Sequence, residues 1–488
     1  MVGDRALSSA GLPADGGADT TPARELSADF YRVLAVAIVV IGHWLVSAVT
    51  FRDGRFGNDY PLAVLPWTQW LTLVFQVVPV FFLVGGYASA ASWTRWRDAG
   101  GRQWPDWVRD RLAAVLGPTT VYVVLALATV AVLGRLGVGH SPLSFGGWAV
   151  AMHLWFVPVY LVVVALTPVA MAAHRRWGLM VPAVLALAVA GVDIAARSAA
   201  GVGWANYLLC WGAVYQIGIC WRAGALRGHR PVLLATSAGI VLGMLLVLRC
   251  YPISMVGAPG MPAQNNFPPT VALLAFGTAQ AGLLVAAAPA ATRWLRRSRW
   301  RRPLAAANKN VMALYLWQMV PVVVVALVGY PSGLLPQPAP GTGTWWLFRL
   351  VWLVVLTVVT AAELTLLWLA RSVCSQPLPT LATPLPAPIT APLLGAGIGI
   401  AAPALSLLAL DGFAPDGRFP TLAALLYAAA VGLLSLVPRP EGHRDDMGAG
   451  TIGYERHRRA GTPRYGSTHR RPHLRPRPSR LDLGAQRQ

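Results

Sequence analysis

Twelve apolar stretches, each close to the length that crosses a lipid bilayer, dominate this sequence. They cover residues 30–50, 67–92, 112–134, 148–171, 179–196, 204–221, 231–249, 270–290, 311–329, 345–370, 389–410 and 420–437. A helix needs about 20 mostly apolar residues to span the hydrocarbon. Within lipid, every backbone N–H and C=O needs a partner inside the chain, which leaves helices or closed barrels. Runs this long and continuous fit helices. The expected fold class is therefore all-α: a polytopic transmembrane helical bundle of about ten core spans plus two weaker C-terminal ones. The last two are weaker because 376–392 is proline-rich and the eleventh stretch keeps Pro392 and Pro403. A composition of 56% hydrophobic and 12% charged residues excludes an ordinary soluble domain.

The net charge of +21 resembles a nucleic-acid signal, but its distribution argues against that reading. The cations fall in short loops between apolar runs and in the last fifty residues. With the N-terminus placed in the cytoplasm, the inner loops hold 18 Arg and Lys residues and the outer loops six. That threefold excess follows the positive-inside rule and puts both termini in the cytoplasm of a multi-pass plasma-membrane protein. No nucleic-acid partner is expected. The four cysteines, Cys210, Cys220, Cys250 and Cys374, lie in or beside apolar runs without metal-ligand spacing. They read as small hydrophobes, and no metal is expected. Residues 1–28 lack the basic-then-apolar order of a cleaved signal peptide and read as a cytoplasmic tail. Residues 373–437 form a Pro-rich linker and the two additional spans. Residues 438–488 carry twelve arginines and few apolar residues, so they are expected to be disordered and to anchor the chain against anionic lipid.

Polar groups inside the apolar runs are costly and point to function. The first run, DFYRVLAVAIVVIGHW, carries Asp29, Arg32 and His43. Arg32 and His43 are eleven residues apart. On a helix that spacing returns to nearly the same face, about 20° off, with a rise of about 16 Å. Asp29 lies three residues before Arg32, so the two can meet on one face. It either orients the arginine or offsets its charge. Glu363 lies inside the tenth run, and His153 and Trp155 open the fourth on the predicted outer side.

Five patches, in order across about residues 26–330, resemble the membrane acyltransferase-3 family of bacterial surface-glycan modification. The first is LSADFYRVLAVAIVVIGHW, with Asp29, Arg32 and His43 at the family's places. The second, VVPVFFLVGGYASAASW, is similar to the family's Phe-Phe and glycine segment at Phe81, Phe82, Gly85 and Gly86. The third, WVRDRLAAVLGPTTVY, brings Arg109, Arg111 and Pro118. The fourth is HLWFVPVYLVVVALTP and the fifth NKNVMALYLWQM. The chain departs from the pattern at Ala114, where a second arginine is usual, and at Gln318, where a histidine is usual. The two C-terminal spans lie outside the family's usual ten. The resemblance assigns residues 29–372 to the family's transmembrane domain.

It also implies a chemistry. An acyl group, usually acetyl, passes from coenzyme A on the cytoplasmic side to a hydroxyl or amine of an exported glycan, glycolipid or secondary metabolite. Acyl-CoA is then a substrate, with no permanently bound cofactor, and membrane lipid and an exported carbohydrate or glycolipid are the other partners. Coenzyme A is polyanionic. Arg32, Arg109 and Arg111 are all predicted at the inner surface, where guanidinium forks suit phosphate, although inner-surface anchoring explains such arginines as well. Gly85 and Gly86 either let helices approach or make room for the pantetheine arm. His43 is the expected catalytic residue, as general base or as acyl-carrying nucleophile. His153 and Trp155 are expected to line the acceptor entrance. Glu363 is expected either to hold His43 in one tautomer or to pair with Arg349. A transporter or flippase of a lipid-linked glycan or small molecule is the competing reading. It is weakened by the lack of similarity between the first six and last six spans. A lipid-phosphate-sugar glycosyltransferase ranks last, because Asp53 and Asp59 are separated and no acidic pair stands in the first outer loop.

Overall fold

The computed structural model describes residues 26–437, apart from 102, 258, 260, 262, 298 and 382–385. The expected cytoplasmic tail, up to residue 25, and the basic tail 438–488 lie outside the described residues. Every one of the twelve expected stretches carries helix. The longer helices are α1 Leu26–Val46, α2 Val78–Asp98, α3 Trp104–Arg135, α4 His140–Ala149, α5 Phe156–Ala165, α6 Thr167–Trp177, α7 Met180–Ala195 and α8 Asn206–Arg222. They continue with α9 Arg230–Val247, α10 Val271–Arg297, α11 Arg301–Trp317, α12 Val320–Gly329, α13 Gly343–Leu369, α14 Ala387–Asp411 and α15 Thr421–Leu436. The fold is an all-α polytopic bundle.

Among the described residues, eight helical segments are long and apolar enough to cross a membrane, or ten if each of two bent pairs is one span. The two bent pairs are α6 with α7 and α11 with α12, and the two remaining expected stretches carry the shorter helices α8, of 17 residues, and α15, of 16. The expected second span is broken at Gln76 and resumes as α2, with Pro79 in its first turn. The Gln76 side chain serves both sides of the break, donating to Met255 O at 2.8 Å and accepting from the Val78 N–H at 3.2 Å. The expected fourth span divides into α4, a 3-10 turn at Met152–Trp155, α5 and α6. Pro158 and Pro168 cannot donate to a helical ladder, so the segments restart there. α6 and α7 then turn by 112° about Gly178, whose φ of 55° suits glycine. α11 and α12 bend by 46° between Trp317 and Val320.

After α1 the chain forms a β-hairpin, Val49–Arg52 paired antiparallel with Arg55–Asn58. Asp53 and Gly54 both take positive φ, 50° and 75°, as a two-residue hairpin turn requires. This Asp-Gly signal is present in the sequence, although the span expected at 30–50 overlaps the start of the first strand.

Lipid provides little hydrophobic drive for one helix to find another, so close packing and polar contacts decide the arrangement. The crossing of α2 and α8 is made by Gly86 and Gly218. A Cβ on Gly86 would lie 2.0 Å from Tyr215 O, and one on Gly218 would lie 2.0 Å from Leu83 O. Gly86 is therefore a packing residue. Gly85, one position earlier, faces the ring of Tyr160 instead, where a Cβ would meet Cε2 at 3.0 Å.

The C-terminal spans join the same body. α14 packs on α5 and on the 3-10 turn, and α15 packs on α14. The linker runs along α3: Leu378 N donates to Ala113 O at 2.9 Å, and Gly117 leaves room for Gln376 O. Substituting Gly86 by alanine should then lower the thermal stability of the detergent-solubilised chain by about 2 kcal/mol or more, since the clash is with backbone. Gly85→Ala meets only a ring edge and should cost clearly less in the same unfolding measurement.

Candidate functional site

The site is built on α1 and α11, which run side by side in the same direction. Two polar rungs join them. At the first, Arg32 Nη1 donates to Asn308 Oδ1 at 3.4 Å while Asn308 Nδ2 donates to Asp29 Oδ1 at 3.0 Å. The amide has its acceptor toward the cation and its donor toward the carboxylate, the one orientation that serves both. At the second rung, His43 Nδ1 lies 3.0 Å from Gln318 Oε1.

The second rung fixes the histidine's chemistry. Gln318 stands at the bend between α11 and α12, and its Nε2 donates to Tyr315 O at 2.9 Å. A carbonyl can only accept, so the Gln318 amide is oriented with Oε1 toward the imidazole. Nδ1 must then carry the proton and donate, leaving the lone pair on Nε2. The Trp44 Nε1–H donates to Gln318 O at 2.9 Å, which holds the residue from its backbone side as well. Tyr315 extends the chain of contacts: its hydroxyl donates to His153 O.

One cavity of about 820 Å³ opens beside these rungs. Its volume lies within the range of small-molecule sites. Arg32, Arg111 and Lys309 line it toward the start of α1. His43, His153, Trp155 and Tyr315 line its middle, and Tyr60, Trp346 and Arg349 line it toward the end of α1. His43 is only half-buried, and Gly85 forms part of the wall near Tyr160. His153 is buried in the 3-10 turn, with its ring edge-on to Tyr122 and Tyr315 at centroid distances of 5.9 and 5.4 Å.

Of the residues singled out from the sequence, Arg32, His43, Gly85, Arg111, His153 and Trp155 meet around this cavity. The others do not. Arg109 points away from it: Nη2 donates to Pro379 O at 3.1 Å and, more weakly, to Leu378 O at 3.5 Å. A donor-binding role for Arg109 is replaced by one that ties the linker to α3. Helix periodicity gives the reason, since two residues along a helix turn about 200°. Gly86 faces α8, as described above. Asp29 lies behind Asn308 and not in the wall, so it holds the rung in place.

Glu363 is not among the cavity-lining residues, and its two oxygens have no hydrogen-bond partner among the described residues. The tautomer-holding role expected of Glu363 belongs to Gln318. Arg349 does not pair with Glu363 either; its Nη1 donates to Ser47 O at 2.9 Å.

Sequence reasoning missed Asn308, Tyr315 and the part played by Gln318. The signal was available, because Asn308 and Gln318 interrupt their segment at a spacing of ten residues, close to the eleven between Arg32 and His43. Nitrogen-15 NMR of histidine-labelled chain should find His43 as the neutral Nδ1–H tautomer. Gln318→Leu should remove that preference. A His43 protonated on Nε2 in the unsubstituted chain would contradict the assignment.

A family model for an acyltransferase domain matches residues 25–368. Comparison with curated proteins and with solved structures finds no match. The matched region contains both rungs and each of the cavity residues named above, and it covers well over half of the chain. The chain belongs to the acyltransferase-3 family and carries its acyltransferase domain in a bundle of apolar helices.

Proposed function

We propose that the protein transfers an acyl group, acetyl in the first instance, from acyl-CoA to a hydroxyl or amine of an exported glycan, glycolipid or secondary metabolite, at the plasma membrane. The observation that carries this reading is the His43–Gln318 contact inside a cavity lined by a cluster of cations at one end and by aromatic groups with Arg349 at the other. The arginine-rich end is read as cytoplasmic, from the loop charges. Arg32, Arg111 and Lys309 would meet the donor's phosphates there. The rise of about 16 Å from Arg32 to His43 suits a donor whose thioester hangs on a long arm away from its phosphates.

The acceptor enters past Tyr60 and Trp346, and His43 Nε2 takes the proton from its hydroxyl as the oxygen attacks the thioester carbonyl. The carbon–oxygen bond forms and the carbon–sulfur bond breaks. The proton on Nε2 then passes to the departing thiolate, so that the products are the ester and free coenzyme A. A single cavity lined from both ends lets donor and acceptor meet directly. That favours His43 as a general base over an acyl-histidine relay between separated sites.

Purified chain supplied with radiolabelled acetyl-CoA and an envelope extract should transfer label, and His43→Ala should lower turnover by about 10²–10⁴-fold while the variant still folds. Unchanged turnover in His43→Ala would remove the mechanism. Concentration-driven flux of a glycan without acyl chemistry would replace the reading with transport.

A further inference from the structure

Arg349 is a charge at the far end of the cavity that neither the donor nor His43 uses. It stands in the second turn of α13, is 4% exposed, and lines the wall. Its contact with Ser47 O fixes its distance from the chemistry. Ser47 lies four residues beyond His43, and its Oγ donates to His43 O at 2.6 Å. The guanidinium is thus anchored about 6 Å further along α1 than the imidazole, on the side away from Arg32.

Aromatic faces surround it: Trp345 at 4.9 Å, Phe348 at 5.7 Å and Trp352 at 5.9 Å from the guanidinium carbon. A guanidinium has five N–H donors in a planar fork. Here one hydrogen bond is made, to Ser47 O, and the buried Nε has no partner among the described residues. No carboxylate among the described residues pairs with it. Asp59, which borders the small pocket adjoining Arg349, is held by Arg52 Nη2 at 2.7 Å.

A buried cation without a counter-ion is costly, and aromatic faces with one carbonyl offset only part of that cost. An oxyanion in the cavity would complete the set, because carboxylate and phosphate both match the guanidinium fork. Donor phosphates do not reach this place if they lie at Arg32, on the other side of His43. We propose that the acceptor itself carries an oxyanion, a carboxylate or a phosphate, which Arg349 holds while a nearby hydroxyl faces His43 Nε2. The acceptor class is then an acidic or phosphorylated glycan unit and not a neutral one. This assignment rests on the acyl-transfer reading of the cavity.

The test uses the full chain in nanodiscs of zwitterionic lipid, with saturating coenzyme A to occupy the cation-rich end. Glucuronate, glucose 6-phosphate and glucose are titrated, followed by the fluorescence of tryptophans such as Trp345 and Trp352. At least one anion should bind about tenfold or more tighter than glucose, and Arg349→Gln should bring it to the level of glucose. Which anion binds tighter separates a carboxylate-bearing from a phosphate-bearing acceptor. Coenzyme A binding should be unchanged in Arg349→Gln.

If that variant does not fold, Arg349→Lys keeps the charge without the fork and should reduce the anion preference several-fold. Equal binding of anions and glucose by the unsubstituted chain, or an undiminished preference in the variants, overturns the proposal. A chain that binds no coenzyme A and transfers no acyl group would instead remove the underlying reading, whatever the anion titration shows.

Discussion

Much of the site depends on a single hydrogen bond, from His43 Nδ1 to Gln318 Oε1. In a medium of low dielectric an imidazole left unpaired is expensive, and one satisfied at both nitrogens is chemically idle. Gln318 resolves this by taking one nitrogen only. Its own amide is fixed by Tyr315 O, and its carbonyl by the Trp44 indole. The proton's place on the ring is thus decided by a glutamine that carries no charge. A carboxylate in that position would make the ring more basic and favour its doubly protonated form, which has no lone pair left to accept a proton.

The same contact helps to set the packing of α1 on α11. With the Asp29–Asn308–Arg32 rung it fixes the axial register of the two helices at two heights. A shift of either helix by one turn would break both rungs and leave buried polar groups without partners. Elsewhere the bundle relies on close backbone approach, as at Gly86 and Gly218, and on the linker segment laid over α3. Arginine serves several purposes within this frame. Arg109 ties the linker down, Arg32 and Arg111 border the cavity at one end, and Arg349 borders it at the other. Residue type alone does not separate these roles; the face each helix turns inward does.

The length and continuity of the apolar runs made the all-α bundle legible before any coordinates. Arg32 and His43 were legible because eleven residues return a helix to nearly the same face. The breaks were harder to read. Hydropathy averages over Gln76 and Pro158, whereas the backbone responds to each one separately. Arg109 and Arg111 looked equivalent in sequence, since both precede Pro118 in a basic stretch, and only the orientation of α3 distinguishes them. Glu363 attracted notice as an acid in an apolar run, but the partner of His43 comes from a helix nearly three hundred residues away in sequence. The departure at Gln318 proved to be the informative position, and its meaning depended on knowing what it touched.

The central claim is that His43 presents a free Nε2 to an acceptor hydroxyl beside the thioester carbonyl of a donor held by its phosphates at the Arg32 end of the cavity. An experimental structure of the chain with a non-hydrolysable acyl-CoA analogue tests this most directly. The account predicts phosphates beside Arg32 and Arg111, with the acyl carbonyl near enough to His43 Nε2 for an acceptor oxygen to bridge them, roughly 4–6 Å. A donor bound outside this cavity, or one whose carbonyl lies far from that nitrogen, would contradict it.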